Sequence, residues 1–116
     1  MYRPFLALAG LLGAAGVATA AAASHGGDPN LAIVGNFLLF HAPALIGLSL
    51  VPRSPLGIAA GYVLVLGLAV FCGDLAMRSL AGNALFPMAA PIGGGGLILG
   101  WLLVAASALP TRRTRD

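Results

Sequence analysis

SPLGIAAGYVLVLGLAVFCGDLAMRSL, residues 54–80, opens with a serine–proline pair and then runs apolar to its end, interrupted by two formal charges, Asp74 and Arg78. Ser54 offers an oxygen to a backbone N–H of the first turn, and Pro55 fits the first helical position, where its missing N–H costs nothing. No polar face recurs at the helical period, so the segment does not read as the surface helix of a soluble domain. Leu56–Leu80 exceeds the ~20 residues needed to cross a hydrocarbon core at a rise of ~1.5 Å per residue. It reads as a membrane-spanning helix.

Three more apolar stretches accompany it, approximately residues 5–24, 31–51 and 88–109, each near spanning length. Asp28-Pro29 repeats the cap-and-proline start ahead of the second stretch. Connections this short join neighbouring helices antiparallel. The expected architecture is therefore all-α, one up-and-down four-helix bundle over residues 1–116 without a separate soluble domain. Composition agrees: the chain is 59% hydrophobic and 8% charged, with a mean hydropathy of +1.00. A soluble domain of that composition would expose large apolar patches.

The net charge of +3 comes wholly from six arginines against three aspartates. Arg3, Arg53, Arg112, Arg113 and Arg115 fall on one side of the expected bundle, and Arg78 alone among the arginines on the other, with Asp28. The excess marks the cytoplasmic side, giving an N-in/C-in protein of the bacterial inner membrane with a basic cytoplasmic tail at residues 110–116. That tail is short and carries no aromatic residue, which excludes nucleic acid in favour of lipid headgroups. The first helix also resembles a secretory signal ending in Ala18-Thr19-Ala20-Ala21-Ala22-Ala23, but its removal would leave three spans; it is expected to stay.

Small residues predict how the helices meet. Gly10, Gly13, Ala14, Val17, Ala21 and Ser24 share one face of the first helix. Gly57, Ala60, Gly61, Gly67, Phe71, Asp74 and Arg78 share one face of the third, and Gly93, Gly96, Gly100 and Ser107 one of the fourth. Each is expected to turn inward, permitting close backbone approach.

Ser24-His25-Gly26, His41-Ala42, Phe71-Cys72-Gly73-Asp74-Leu75 and Ala90-Pro91-Ile92-Gly93-Gly94 followed by Gly100-Trp101-Leu102-Leu103 resemble the small four-helix bacterial membrane family known as domain of unknown function 423. That family is similar in turn to eukaryotic transmembrane protein 256. The resemblance implies a four-helix inner-membrane protein without an assigned activity. The chain departs from the family's usual residues at Phe37-Leu38, Pro43 and Asp74.

The polar groups inside the spans are the candidates for function. Asp74 and Arg78, four residues apart, are expected to form a buried ion pair, since an unpaired charge at the centre of a span costs roughly 2.5–3.5 kcal/mol. With His25, Asn36 and His41 they are expected to make an outer-half polar cluster. Asp28 is expected to cap the second helix, Asn36 to bond within the bundle, and His41 to bond the Leu39 carbonyl that Pro43 leaves without its usual donor. His25 and His41 are weak haem candidates, because their depths in the membrane differ. No metal or cofactor is expected, no nucleophile–base–orienter set is present, and Gly93–Gly96 lacks the lysine and strand of a phosphate loop. Three function classes fit: a non-catalytic accessory or assembly subunit in contact with a membrane-protein partner or a second copy, a small oligomeric transporter or channel, and a haem-, quinone- or lipid-binding module. The first is the expectation carried forward.

Overall fold

The computed structural model describes residues 1–110 and contains four α-helices: α1 (Arg3–Gly26), α2 (Pro29–Leu50), α3 (Pro55–Leu80) and α4 (Ala89–Ser107). All four are long and apolar enough to cross a membrane, so the chain is an all-α, multi-pass membrane protein. The expected tail lies, from residue 111 onward, outside the described residues, with Arg112, Arg113 and Arg115.

The helix starts follow from their caps. Asp28 accepts the N–H groups of Asn30 at 2.9 Å and Leu31 at 3.4 Å, and Ser54 accepts that of Gly57 at 3.0 Å. Two orphaned N–H groups at the start of α2 and one at the start of α3 thereby find partners. Gly27 ends α1 in the left-handed region at φ 68°, its N–H bonded to the Ala23 carbonyl. Met88 also takes a left-handed conformation, at φ 69°, and so stands before α4 instead of beginning it. Pro43 lies within α2 without ending it.

Close packing runs mainly between neighbours in chain order, α1 with α2, α2 with α3 and α3 with α4. The molecule measures 57 × 27 × 17 Å. A closed square of helices spaced ~8–10 Å apart would be nearly equal in its two shorter dimensions; this one is a flattened, open row. The α3–α4 seam depends on the absence of side chains. A Cβ added to Gly67 would stand 2.8 Å from the Leu97 nitrogen, and one added to Gly100 would stand 2.6 Å from Leu64 Cδ2. Cβ atoms added to Gly93 and Gly96 would likewise meet α3, at Phe71 and Gly67.

The expected face of α1 is corrected. Gly10, Ala14, Val17, Ala21 and Ser24 are exposed, and a Cβ added to the half-buried Gly13 would meet only Ala42, at an ordinary 3.7 Å. The buried stripe is Phe5, Ala9, Gly16 and Ala23. Small residues occur on nearly every side of α1, so size alone does not mark the inside; the bulk of Leu38 and Leu39 opposite Gly16 does. Gly16, and Gly35 against Ala20, are seam residues that the small-residue stripes omitted. Gly57 serves the Ser54 cap rather than a helix contact. Gly61 does face inward, lying directly under the ring of Phe5, which is fully buried and meets Tyr2 and Tyr62 edge-on.

Candidate functional site

His41 is buried midway along α2, and both ring nitrogens are engaged. Trp101 Nε1 donates to its Nε2 at 3.1 Å. Indole nitrogen can only donate, so Nε2 is the acceptor and Nδ1 carries the hydrogen, donating to the Phe37 carbonyl at 2.7 Å. The imidazole is neutral in this arrangement. The Leu39 carbonyl is not its partner, because helical side chains lean toward the preceding turn and reach the carbonyl four residues back.

The His41–Trp101 bond crosses from α2 to α4 above a furrow floored by α3. Its inner part, of about 490 Å³, is lined by Phe37, His41, Phe71, Leu97, Ile98 and Trp101, among others. A second hollow shares Trp101 and adds Gly47, Leu48 and Val51. A third shares Leu48, Val51 and Val104 and ends at Arg53, Ser54 and Ser107. The three hollows follow one another along the α2–α4 side as a furrow, apolar in the first two and polar at the Arg53 end. The furrow exists because α2 and α4 both pack on α3 but not closely on each other.

Asp74 has no solvent exposure, whereas the Arg78 side chain is 47% exposed. The pair is thus half-buried, a correction to the fully buried one expected: Arg78 stands in the last turn of α3, where a long side chain can carry its charge outward. Arg78 Nε donates to Asp74 Oδ2 at 2.8 Å, and the Leu85 N–H donates to Oδ1 at 2.9 Å. Asp74 therefore pins the α3–α4 connection to the helix. Asp28 plays a parallel part, since the Ser79 hydroxyl of α3 donates to its second oxygen. That bond, foremost, and the Asn30 and Leu31 N–H groups hold the Asp28 carboxyl below its usual 3.8 against an opposing effect of partial burial.

The expected cluster does not assemble. Asp74 and Arg78 meet, but His41 is engaged with Phe37 and Trp101, His25 is exposed at the end of α1, and Asn36 is exposed beside Ser24, Ala20, Ala23 and Ala32 without a bond inside the bundle. Depth in the membrane groups these residues in the sequence; helical azimuth separates them. Ser79, Leu85 and Trp101 are partners that the expected cluster lacks. Trp101 alone carried a usable signal, a donor-only side chain in an apolar span that needs an acceptor. His25 and His41 do not converge on a common ligand position, and among the described residues no group of three His, Cys or acidic side chains could hold a metal ion.

A family model described as Protein of unknown function (DUF423) matches residues 12–94, most of the chain. The chain belongs to the DUF423 family. The match takes in α2, α3 and the first turns of α4, and it ends before Gly100-Trp101, so that part of the furrow wall lies beyond the matched residues. No solved structure matches this DUF423 protein.

Proposed function

We propose that this DUF423 protein is a non-catalytic accessory or assembly subunit of a larger complex in the bacterial inner membrane, with both termini cytoplasmic. The observation that carries this reading is the outward face of α1. Gly10, Ala14, Ala18 and Ala22 recur every fourth residue and are exposed, and a Cβ at Gly10 would meet nothing within 4 Å. Spacing of this kind lets a second helix approach closely within lipid. In the α3–α4 seam the same residue type is consumed by internal contacts; on α1 it is open to a partner. The ionisable groups support a non-catalytic role, because His41 and Asp74 are held in internal bonds. Orientation is supported by Arg3 and Arg53 at one end against Arg78 at the other.

Purification from the native membrane in a mild detergent tests the proposal. Stable co-migration with a larger membrane complex is expected. A symmetric homo-oligomer with a wet axis and measurable ion flux would overturn it in favour of a channel.

A further inference from the structure

We propose that the α2–α4 furrow binds one acyl chain of an anionic phospholipid, with the lipid phosphate at Arg53. This site lies apart from the α1 face and goes beyond the accessory-subunit reading.

Three observations select this occupant. The first is length: from Gly94 to Ser107 the α4 wall rises about 20 Å at ~1.5 Å per residue. A single leaflet contributes about half of a ~30 Å hydrocarbon core, so the furrow covers one leaflet and reaches the headgroup boundary. The second is the distribution of polar groups. At the inner end the polar side chains among the described residues are His41 and Trp101, and they are bonded to each other and, through His41, to the Phe37 carbonyl. A quinone ring or other polar headgroup would find no free donor there, whereas a hydrocarbon tail needs none. At the mouth stand Arg53, Ser54 and Ser107.

The third is charge. Arg53 Nη2 donates to the Met1 carbonyl at 3.3 Å, and the guanidinium lies 5.2 Å from the Tyr2 ring centre. Among the described residues no carboxylate pairs with it. A guanidinium has five N–H donors, so most remain for a phosphate, the anion whose geometry it matches. Arg53 lies in the α2–α3 connection, outside the spans, at the depth of a headgroup.

Trp101 is the chain's single tryptophan, lies on the furrow wall and is 44% exposed, so it serves as the probe. The full chain is reconstituted in phosphatidylcholine vesicles containing a minor fraction of mid-chain brominated lipid, either phosphatidylglycerol or phosphatidylcholine. Quenching of Trp101 should favour brominated phosphatidylglycerol. Arg53→Gln should reduce that preference about fivefold, as expected for one arginine at an anionic surface. Gly47→Leu should abolish the preference by filling the furrow, because a Cβ at Gly47 meets nothing within 4 Å and the fold has room for it. Unchanged circular dichroism and unfolding temperature confirm that both variants are folded.

Equal quenching by the two brominated lipids in the unsubstituted protein would overturn the proposal. So would a preference that survives both substitutions, since it would belong to the general basic surface. Protection of Trp101 from both lipids together with cross-linking of Gly47→Cys to another polypeptide would place a protein helix in the furrow and likewise overturn it. Absence of a co-migrating complex would count against the accessory-subunit reading and leave this result unaffected.

Discussion

Among the described residues Asp74 and Asp28 are the two carboxylates that join elements, and they should fail differently. Asp74→Asn keeps an oxygen for the Leu85 N–H but loses the charge facing Arg78. Hydrogen bonds to charged groups contribute about 1.5–3 kcal/mol, and the exposure of Arg78 puts this one toward the lower end. Asp74→Ala should be worse, because it also leaves the Leu85 N–H without its acceptor. Thermal unfolding in detergent, with the order wild type, Asp74→Asn, Asp74→Ala, checks this; equal stability of all three would show that the connection does not depend on Asp74. Asp28 adds a pH dependence. Its folded carboxyl is held below 3.8, chiefly by Ser79, so its stabilisation is fully present above that value and is lost as pH falls through the lower folded value. Unfolding temperature should therefore drop on acidification through and below the ordinary carboxylate range, and Ser79→Ala should flatten the drop.

Among the elements, the α3–α4 hairpin is the most exacting. Gly67 sits against α4 backbone, which cannot rotate away as a side chain can. Gly67→Ala should force the helices apart and cost about 1–3 kcal/mol, in the range of overpacked cores, while Gly95→Ala, whose Cβ meets nothing within 4 Å, should be nearly neutral. Comparative denaturation of the two variants measures the difference. Much of this level was legible in the sequence. Ser54-Pro55 and Asp28-Pro29 mark two starts because capping is local chemistry, and the inner glycines of α3 are legible because Ile58, Val65, Leu66 and Val70 stand on the opposite face. On α1 the same reasoning failed, since alanine and glycine surround the helix and only the bulk of Leu38 and Leu39 on α2 decides which side is inner. The polar cluster failed for a related reason: sequence gives depth along a span more readily than azimuth, and Trp101, the partner that orients His41, comes sixty residues later.

For the whole molecule, an open row leaves the α1 face without an internal partner. Gly10→Ile should leave the unfolding free energy of the purified protein within about 0.5 kcal/mol of wild type, the usual range for surface sites, yet dissociate it from the proposed complex during native purification. Retained co-migration would remove α1 as the docking face. The row also has consequences for how the protein is made. Helices that touch mainly their chain neighbours close short loops, the low-contact-order arrangement that folds quickly, and α1 and α2 can pair while α3 is still being synthesised. Two contacts between helices that are not chain neighbours each span sixty residues: the His41–Trp101 bond, and the Tyr2 and Tyr62 hydroxyls, which meet at 2.8 Å beside Phe5 over Gly61. The Tyr2–Tyr62 contact cannot form until the first half of α3 is in place, so a probe at Tyr62 would time the joining of the two hairpins during biogenesis.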